Sequence, residues 1–319
     1  MTPTVRSRLF AAGTSFLLGF VIANYGILRV PGPDRWLWLT IAIALMVTGA
    51  AGVLIADSPR RISVWAVVGV EVLIAFTVVP LLWMFTVATS TRPDVPRSVM
   101  PEDVDWSVFG HALTGDLFGR PLLNSLLVAF VATLVGLIMA VPAAYATVRT
   151  RPRFGPWLYI ASMAFLLAPL FLLDGALADQ LRSFGLLGSL VAPMVATLLL
   201  TVPLSFWLCV SVMKDVPWTL RDAVMVDGAS SGELVRVFFL PILGPGVAVA
   251  GALTFVAALN DVAVSATMLS TESSRTLPGA ILLAGQVGTG ANEAAAVALV
   301  VLVPVLVLLL CAPRRILQL

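Results

Sequence analysis

The chain has 319 residues, of which 60% are hydrophobic and only 11% charged, and its mean hydropathy is +1.03. A soluble domain carries about 25% charged residues, so this chain has too few to cover a water-facing surface, and soluble enzyme classes are excluded. A net charge of +2 gives no basic field for nucleic acid, and two cysteines with a single histidine, His111, give no disulfide framework or zinc-ligand spacing and leave little room for imidazole catalysis.

A helix needs about 20 apolar residues to cross a bilayer core. Taken in chain order, charge-free runs cover 9–28, 36–56, 72–91, 121–148, 154–173, 183–213, 237–260 and 294–313. These predict an all-α membrane protein with about eight transmembrane helices, the third starting near Ile62 and including Glu71. The first run is read as an uncleaved helix, because it is longer than a signal-peptide core and no A-x-A site follows it. A shorter run, 276–292, holds four glycines and a proline and reads as a loop or a short surface helix. A natural boundary at Asp57–Arg61 separates 1–61, an N-terminal pair of additional helices, from 62–319.

With the N-terminus inside, twelve Arg and Lys residues fall in cytoplasmic segments and seven in outer ones. The excess puts both termini in the cytoplasm, and Arg149, Arg151 and Arg153 form the densest cluster. The long hydrophilic stretch 89–120 is then external.

The loop 214–241, between the sixth and seventh spans, has legible local chemistry. Asp215 with Pro217 resembles a helix start. Gly228 suits the left-handed residue that ends a helix. Ser230 and Glu233 have capping-box spacing for a second helix, and Pro241 marks a break or kink on entry to the membrane. Trp218, Leu220, Ala223, Val224 and Val226 supply apolar surface that so short a loop cannot bury alone. Two readings stand: a helix that docks in a groove of a partner protein, or an amphipathic helix resting on the bilayer.

The pattern Asp222-Ala-Val-x-x-Asp227-Gly228-Ala229, followed by Leu240-Pro241, resembles the EAA loop of permease subunits of binding-protein-dependent ABC importers. Pro80-Leu-Leu-Trp83, Asn124-Ser125, Ala143-Ala-Tyr-Ala146, Leu259-Asn260-Asp261 and Thr276-Leu-Pro278 extend the similarity to the maltose-type carbohydrate permeases, over roughly 72–315. The motif's Glu is here Asp222, its second Ala is Val224, and Phe238 replaces the usual Ile.

The resemblance implies a type I permease core of six helices, with the two N-terminal helices additional to it. It implies a coupling helix that contacts a separate ATPase, with Asp222, Ala223, Asp227, Gly228, Ala229, Leu240 and Pro241 in that role. It also implies a second homologous permease, two ATPase subunits, an extracytoplasmic substrate-binding protein, and a place in the bacterial cytoplasmic membrane. The transported substrate would be a sugar or oligosaccharide. No P-loop accompanies the one lysine, Lys214, so ATP and Mg are expected on the partner ATPases and no cofactor or metal on this chain.

Gly228-Ala-Ser-Ser-Gly232 fits a hydrolase elbow in letters only, because its flanks read as helical and His111 is expected across the membrane. Polar residues within spans face cavities or partners. Glu71, Asn124, Tyr145, Thr201, Ser205, Thr254, Asn260 and Asp261 are candidates to line a translocation path, each with a structural hydrogen bond as the competing role. Two rival functions remain: an ion-coupled secondary transporter, for which Glu71 is nearly the sole acidic candidate, and a membrane scaffold without transport.

Overall fold

The computed structural model describes residues 80–90 and 104–311, apart from 116, 151–154, 169, 215, 269–272 and 288–289, together with Gly19, Ala42, Ile43, Leu45, Met46, Phe76 and Thr77. Glu71, Asp215, Arg314, Arg315 and nearly all of the expected N-terminal pair lie outside the described residues. The chain divides into two compact units, Met1–Gly110 with Gly290–Leu299, and His111–Thr289 with Val300–Leu319.

In the first unit, α1 (Pro80–Thr89) ends where the Thr89 carbonyl accepts the Asp105 amide at 3.0 Å, and Ser90 bridges Val104. Phe85 meets Trp106 edge-on at 5.9 Å, which fixes the return of the chain after 91–103. Gly19 is in bare backbone contact: a β-carbon there would lie 2.6 Å from the Ala42 carbonyl oxygen and 2.8 Å from the Met46 amide nitrogen.

Helices α2 (Ser107–Thr114) and α3 (Gly119–Tyr145) follow. Next come α4 (Gly155–Leu166), α5 (Leu170–Ser183) and α6 (Val191–Lys214). The loop region holds α7 (Trp218–Val226) and α8 (Ser231–Leu234). The chain closes with α9 (Gly244–Leu259), α10 (Val262–Thr267), α11 (Leu277–Val287) and α12 (Ala291–Cys311). Three stretches among the described residues are long and apolar enough to cross a membrane: Gly119–Arg149, Val191–Lys214 and Gly232–Thr267.

In the second unit, α3, α6 and α9 form the central bundle. The large side chains of α3, including Leu123, Phe130 and Ile138, are exposed, whereas its buried face carries Ser125, Ala129, Ala132, Gly136, Ala140 and Ala144. This arrangement, small inside and large apolar outside, suits a helix whose solvent is lipid, since close backbone packing and not hydrophobic exclusion drives association there. At Gly136 an added β-carbon would sit 3.1 Å from Ser205 Oγ and 3.2 Å from the Thr201 carbonyl oxygen. Thr201 Oγ1 donates to the Ala132 carbonyl at 3.2 Å, and Ser205 and Thr254 share a hydroxyl hydrogen bond at 3.2 Å.

Several sequence expectations need correction. The run 154–173 is not one continuous helix: α4 stops at Leu166 and a separate helix starts at Leu170. Pro169 in the sequence explains the break, because proline lacks the amide donor and disfavours helix in its predecessor. The run 183–213 becomes helical only at Val191, since Gly185 and Gly188 take positive φ and turn the chain first. The run 276–292 contains the short helix Leu277–Val287, which buries Leu277, Gly279, Ala280 and Ala284 on one face and leaves Leu282 and Val287 exposed. Of the break or kink expected at Pro241, the break does not occur: the α-helical pattern gives way to a π-helix, Val235–Leu243, that runs on into α9. Its wider turn accommodates the ring, with the Gly244 amide reaching the Phe239 carbonyl five residues back.

Candidate functional site

The loop after α6 is built by local chemistry that closes each helix end. At the C-terminus of α7, the Ala229 amide donates to the Val224 carbonyl at 3.3 Å, and the Gly228 amide donates to the Met225 carbonyl at 3.2 Å. These are the two bonds of a Schellman motif, which needs a left-handed residue at its corner. Gly228 supplies it with φ +81°. The chain then re-enters helix through a reciprocal box. The Ser230 amide donates to Glu233 Oε2 at 2.8 Å, and the Glu233 amide reaches Ser230 Oγ at 3.4 Å. Helix α7 begins after Pro217, one residue later than a proline in the first turn would place it.

Two sets of contacts hold α7 against the bundle. The first is aromatic. The Tyr145 ring meets Trp218 at 5.7 Å and Phe239 at 5.6 Å, both edge-on, while Trp218 and Phe238 lie 5.8 Å apart. Trp218 therefore turns inward, onto a core that includes Ala144, Met213 and Leu243, and is not part of the loop's outward apolar surface. Leu220, Met225 and Val226 remain outward, with Val226 87% exposed.

The second set is ionic. Arg149 Nη2 donates to both carboxylate oxygens of Asp222 at 2.6 Å, and Arg221 Nη1 donates to Oδ1 at 2.9 Å. Arg149 sits on a π-helical turn, Ala146–Thr150, that extends α3. Arg221 and then Arg149, by hydrogen bonding and charge, hold the Asp222 carboxyl below the usual carboxylate range.

The other coupling candidates follow the same local frame. Ala223 is exposed on α7 and Asp227 is exposed at its C-cap, and the Asp227 amide donates to the Ala223 carbonyl at 3.0 Å. Ala229 is half-buried and Leu240 and Pro241 are exposed on the π-helical stretch.

Among the described residues, the translocation-path candidates are spread along the bundle. Tyr145 belongs to the aromatic cluster beside α7. Thr201, Ser205 and Thr254 are buried and satisfied between helices. Asn124 donates to the Ser273 and Arg275 carbonyls at 3.0 and 2.9 Å, and Ser125 Oγ accepts the Leu277 amide at 2.7 Å, so this pair clamps the start of α11. Asn260 donates to the Val256 carbonyl at 2.9 Å. Asp261 caps α10 through the Val264 amide at 3.2 Å. Ser125, Asp261, Ser265 and Thr276 together line a small pocket near that end of the bundle.

Sequence reasoning missed Arg149 as the partner of Asp222 and counted it only as a topology charge. One signal was available. Tyr145 and Arg149 stand one turn apart on one helix, as Trp218 and Asp222 do on another, and the two pairs face each other.

No family model matches the chain. The trehalose transport system permease protein SugB of Mycobacterium tuberculosis is 28% identical over 263 residues, covering 81% of this chain and 95% of that protein. A putative ABC transporter permease protein, ORF1 of Streptomyces antibioticus, is 30% identical over 203 residues, covering 61% of this chain and 85% of that protein. Among solved structures, a bacterial ABC transporter involved in the import of the acidic polysaccharide alginate superposes with a TM-score of 0.56 at 19% identity, over 78% of this chain and 96% of that one. At that identity the superposition speaks for the fold. The lipid-suited helix faces, the shared fold and the sequence relatives agree: the chain belongs to the ABC transporter permeases, a family of integral membrane proteins.

Proposed function

We propose that this chain is one membrane-spanning subunit of an ATP-driven importer for a sugar or oligosaccharide, coupled to a separate ATPase through the 214–241 loop. The observation that carries the coupling role is the shape of that loop. A short helix is closed by a Schellman turn at Gly228 and rooted inward by Trp218, and it still turns Leu220, Met225 and Val226 outward. An apolar helix face displayed on a rigid elbow suits a groove in a partner protein. The sugar reading rests on the relatives, whose names include a trehalose permease.

In this reading the chain has about eight spans, a six-helix core at 62–319 and an extra pair at 1–61. Both termini are cytoplasmic in a bacterial inner membrane. A second homologous permease completes the pathway, and two ATPase subunits hold the ATP and Mg. An extracytoplasmic binding protein delivers the substrate. Closure of the ATPases moves α7, and the bundles rock between inward-facing and outward-facing states. That exchange requires loop contacts of different strength in the two states.

The test is mild-detergent purification from the native host, wild type beside Gly228→Asp, with mass spectrometry of the co-purifying chains. The expected result is a Walker-motif ATPase and a second permease with wild type, and loss of the ATPase with the variant. A chain that purifies alone and stably, with the variant indistinguishable, overturns the reading.

A further inference from the structure

We infer that Arg149 and Tyr145, at the end of α3, are positioning residues that tie the coupling helix to α3 and deliver its movement there; this rests on the importer reading above. By chain connectivity, α7 is joined only to α6 on one side and to the π-helical stretch leading into α9 on the other. Helix α3, the principal partner of α6, has no covalent connection to the loop. The link to it includes two matched contacts, Tyr145 to Trp218 at 5.7 Å and Arg149 to Asp222 at 2.6 Å. Tyr145 and Arg149 lie one turn apart on one side and Trp218 and Asp222 one turn apart on the other, so the contacts make a two-point attachment that resists rotation of α7 as well as its separation from α3.

The roles of the two arginines differ. Arg221 is the sequence neighbour of Asp222 and moves with it, so its bond at 2.9 Å holds wherever the loop goes. Arg149 is 73 residues away in sequence, so of the two arginine bonds only this one registers the position of α7 relative to α3. Two π-helical stretches adjoin the joint, Ala146–Thr150 carrying Arg149 and Val235–Leu243 carrying Phe239, which meets Tyr145, and Phe238, which meets Trp218. Such widened turns are frequent at functional sites. A helix continued by a widened turn can shift its last side chains without breaking the helix behind them. The joint therefore transmits a displacement of the loop into the bundle's central helix pair.

The test uses the whole transporter, reconstituted in proteoliposomes, with substrate uptake and ATP hydrolysis measured together for Arg149→Ala, Arg149→Lys, Tyr145→Ala and Tyr145→Phe. Arg149 bonds Asp222 through one nitrogen, a geometry that a lysine ammonium can reproduce, and phenylalanine keeps the ring edge. The expected result is a fall of about five-fold or more in substrate moved per ATP hydrolysed for each alanine variant. The ATPase stays bound, and the lysine and phenylalanine variants recover the ratio to near wild type. An unchanged ratio in Arg149→Ala, or a parallel loss of uptake and hydrolysis that lysine does not rescue, overturns the proposal. A wild-type complex without ATP-driven uptake overturns the importer reading and the proposal with it, and is told apart by requiring no variant.

Discussion

Arg149 spans the two carboxylate oxygens of Asp222 with a single nitrogen, at 2.6 Å to each. The contact brings together the extension of α3 and the middle of α7, and it shares its carboxylate with Arg221. The behaviour of this joint with acid follows from the Asp222 carboxylate that both arginines share.

Hydrogen bonds from Arg221 and then Arg149 lower the Asp222 pKa. A group whose pKa is lowered by folding contributes stability that is complete above its unfolded value, about 4 for an aspartate, and is lost as pH falls through the folded value. The difference in α7 amide exchange between wild type and Asp222→Asn should therefore be constant at neutral and mildly acidic pH and close only below about pH 4. A difference that disappears between about pH 6 and 7 points to some other titrating group.

Gly228 is left-handed, with open space where a β-carbon would go. Substitution by alanine thus costs only the conformational penalty, about 1 kcal/mol. Hydrogen exchange at the Gly228 position and Ala229 amides, the donors of the Schellman bonds, should quicken about five-fold in Gly228→Ala, with α3 and α6 unaffected. Slower exchange, or a change spread through the bundle, contradicts the assignment of Gly228 as a purely conformational corner.

The elbow at Gly228 and the Ser230–Glu233 box were legible in the sequence because each is decided within six residues by turn and capping chemistry. The joint to α3 was not, because Tyr145 and Arg149 lie more than seventy residues from their partners and each has an ordinary role that hides it. Tyrosine in a span reads as a path residue, and arginine beside a span reads as a topology charge. The break within 154–173 was hidden for a different reason. Counting residues between charges measures apolarity alone and gives no weight to Pro169, whose backbone chemistry ends the helix. For Thr201, Ser205 and Thr254 the sequence left a path role and a structural hydrogen bond side by side, because polarity within a span is costly and needs a cavity or a partner. The structure satisfies them with one another and with backbone carbonyls, and that choice depends on helix rotation, which periodicity does not resolve in a segment apolar on every side.

The small-residue seam between α3 and α6 makes a packing prediction. At Gly136 an added β-carbon would meet Ser205 Oγ at 3.1 Å and the Thr201 carbonyl oxygen at 3.2 Å. The carbonyl belongs to a helix backbone and cannot yield as a side chain can. Gly136→Leu should cost about 1–3 kcal/mol and lower the melting temperature in detergent, whereas leucine at exposed Met139, three residues on, should leave it within about 0.5 kcal/mol. Equal melting temperatures for the two variants contradict the seam.

The start of α11 gives the last prediction. Leu277 is buried, and its amide donates to Ser125 Oγ at 2.7 Å across 152 residues of sequence. At a helix start this amide has no carbonyl of its own helix to bond, so the serine hydroxyl is what satisfies it. Ser125→Ala strands the donor in a site closed to solvent, at a cost of about 1–3 kcal/mol. Next to it, Asn124 donates to the Ser273 and Arg275 carbonyls, which are partly exposed and can be satisfied by water instead. Asn124→Ala should therefore cost less than Ser125→Ala, though it removes two hydrogen bonds against one. Melting temperatures of the two variants in the same detergent check the order, together with exchange at the Leu277 amide, which should rise sharply only in Ser125→Ala. The reverse order shows that the 273–277 segment is held by the asparagine and that the buried amide finds another partner.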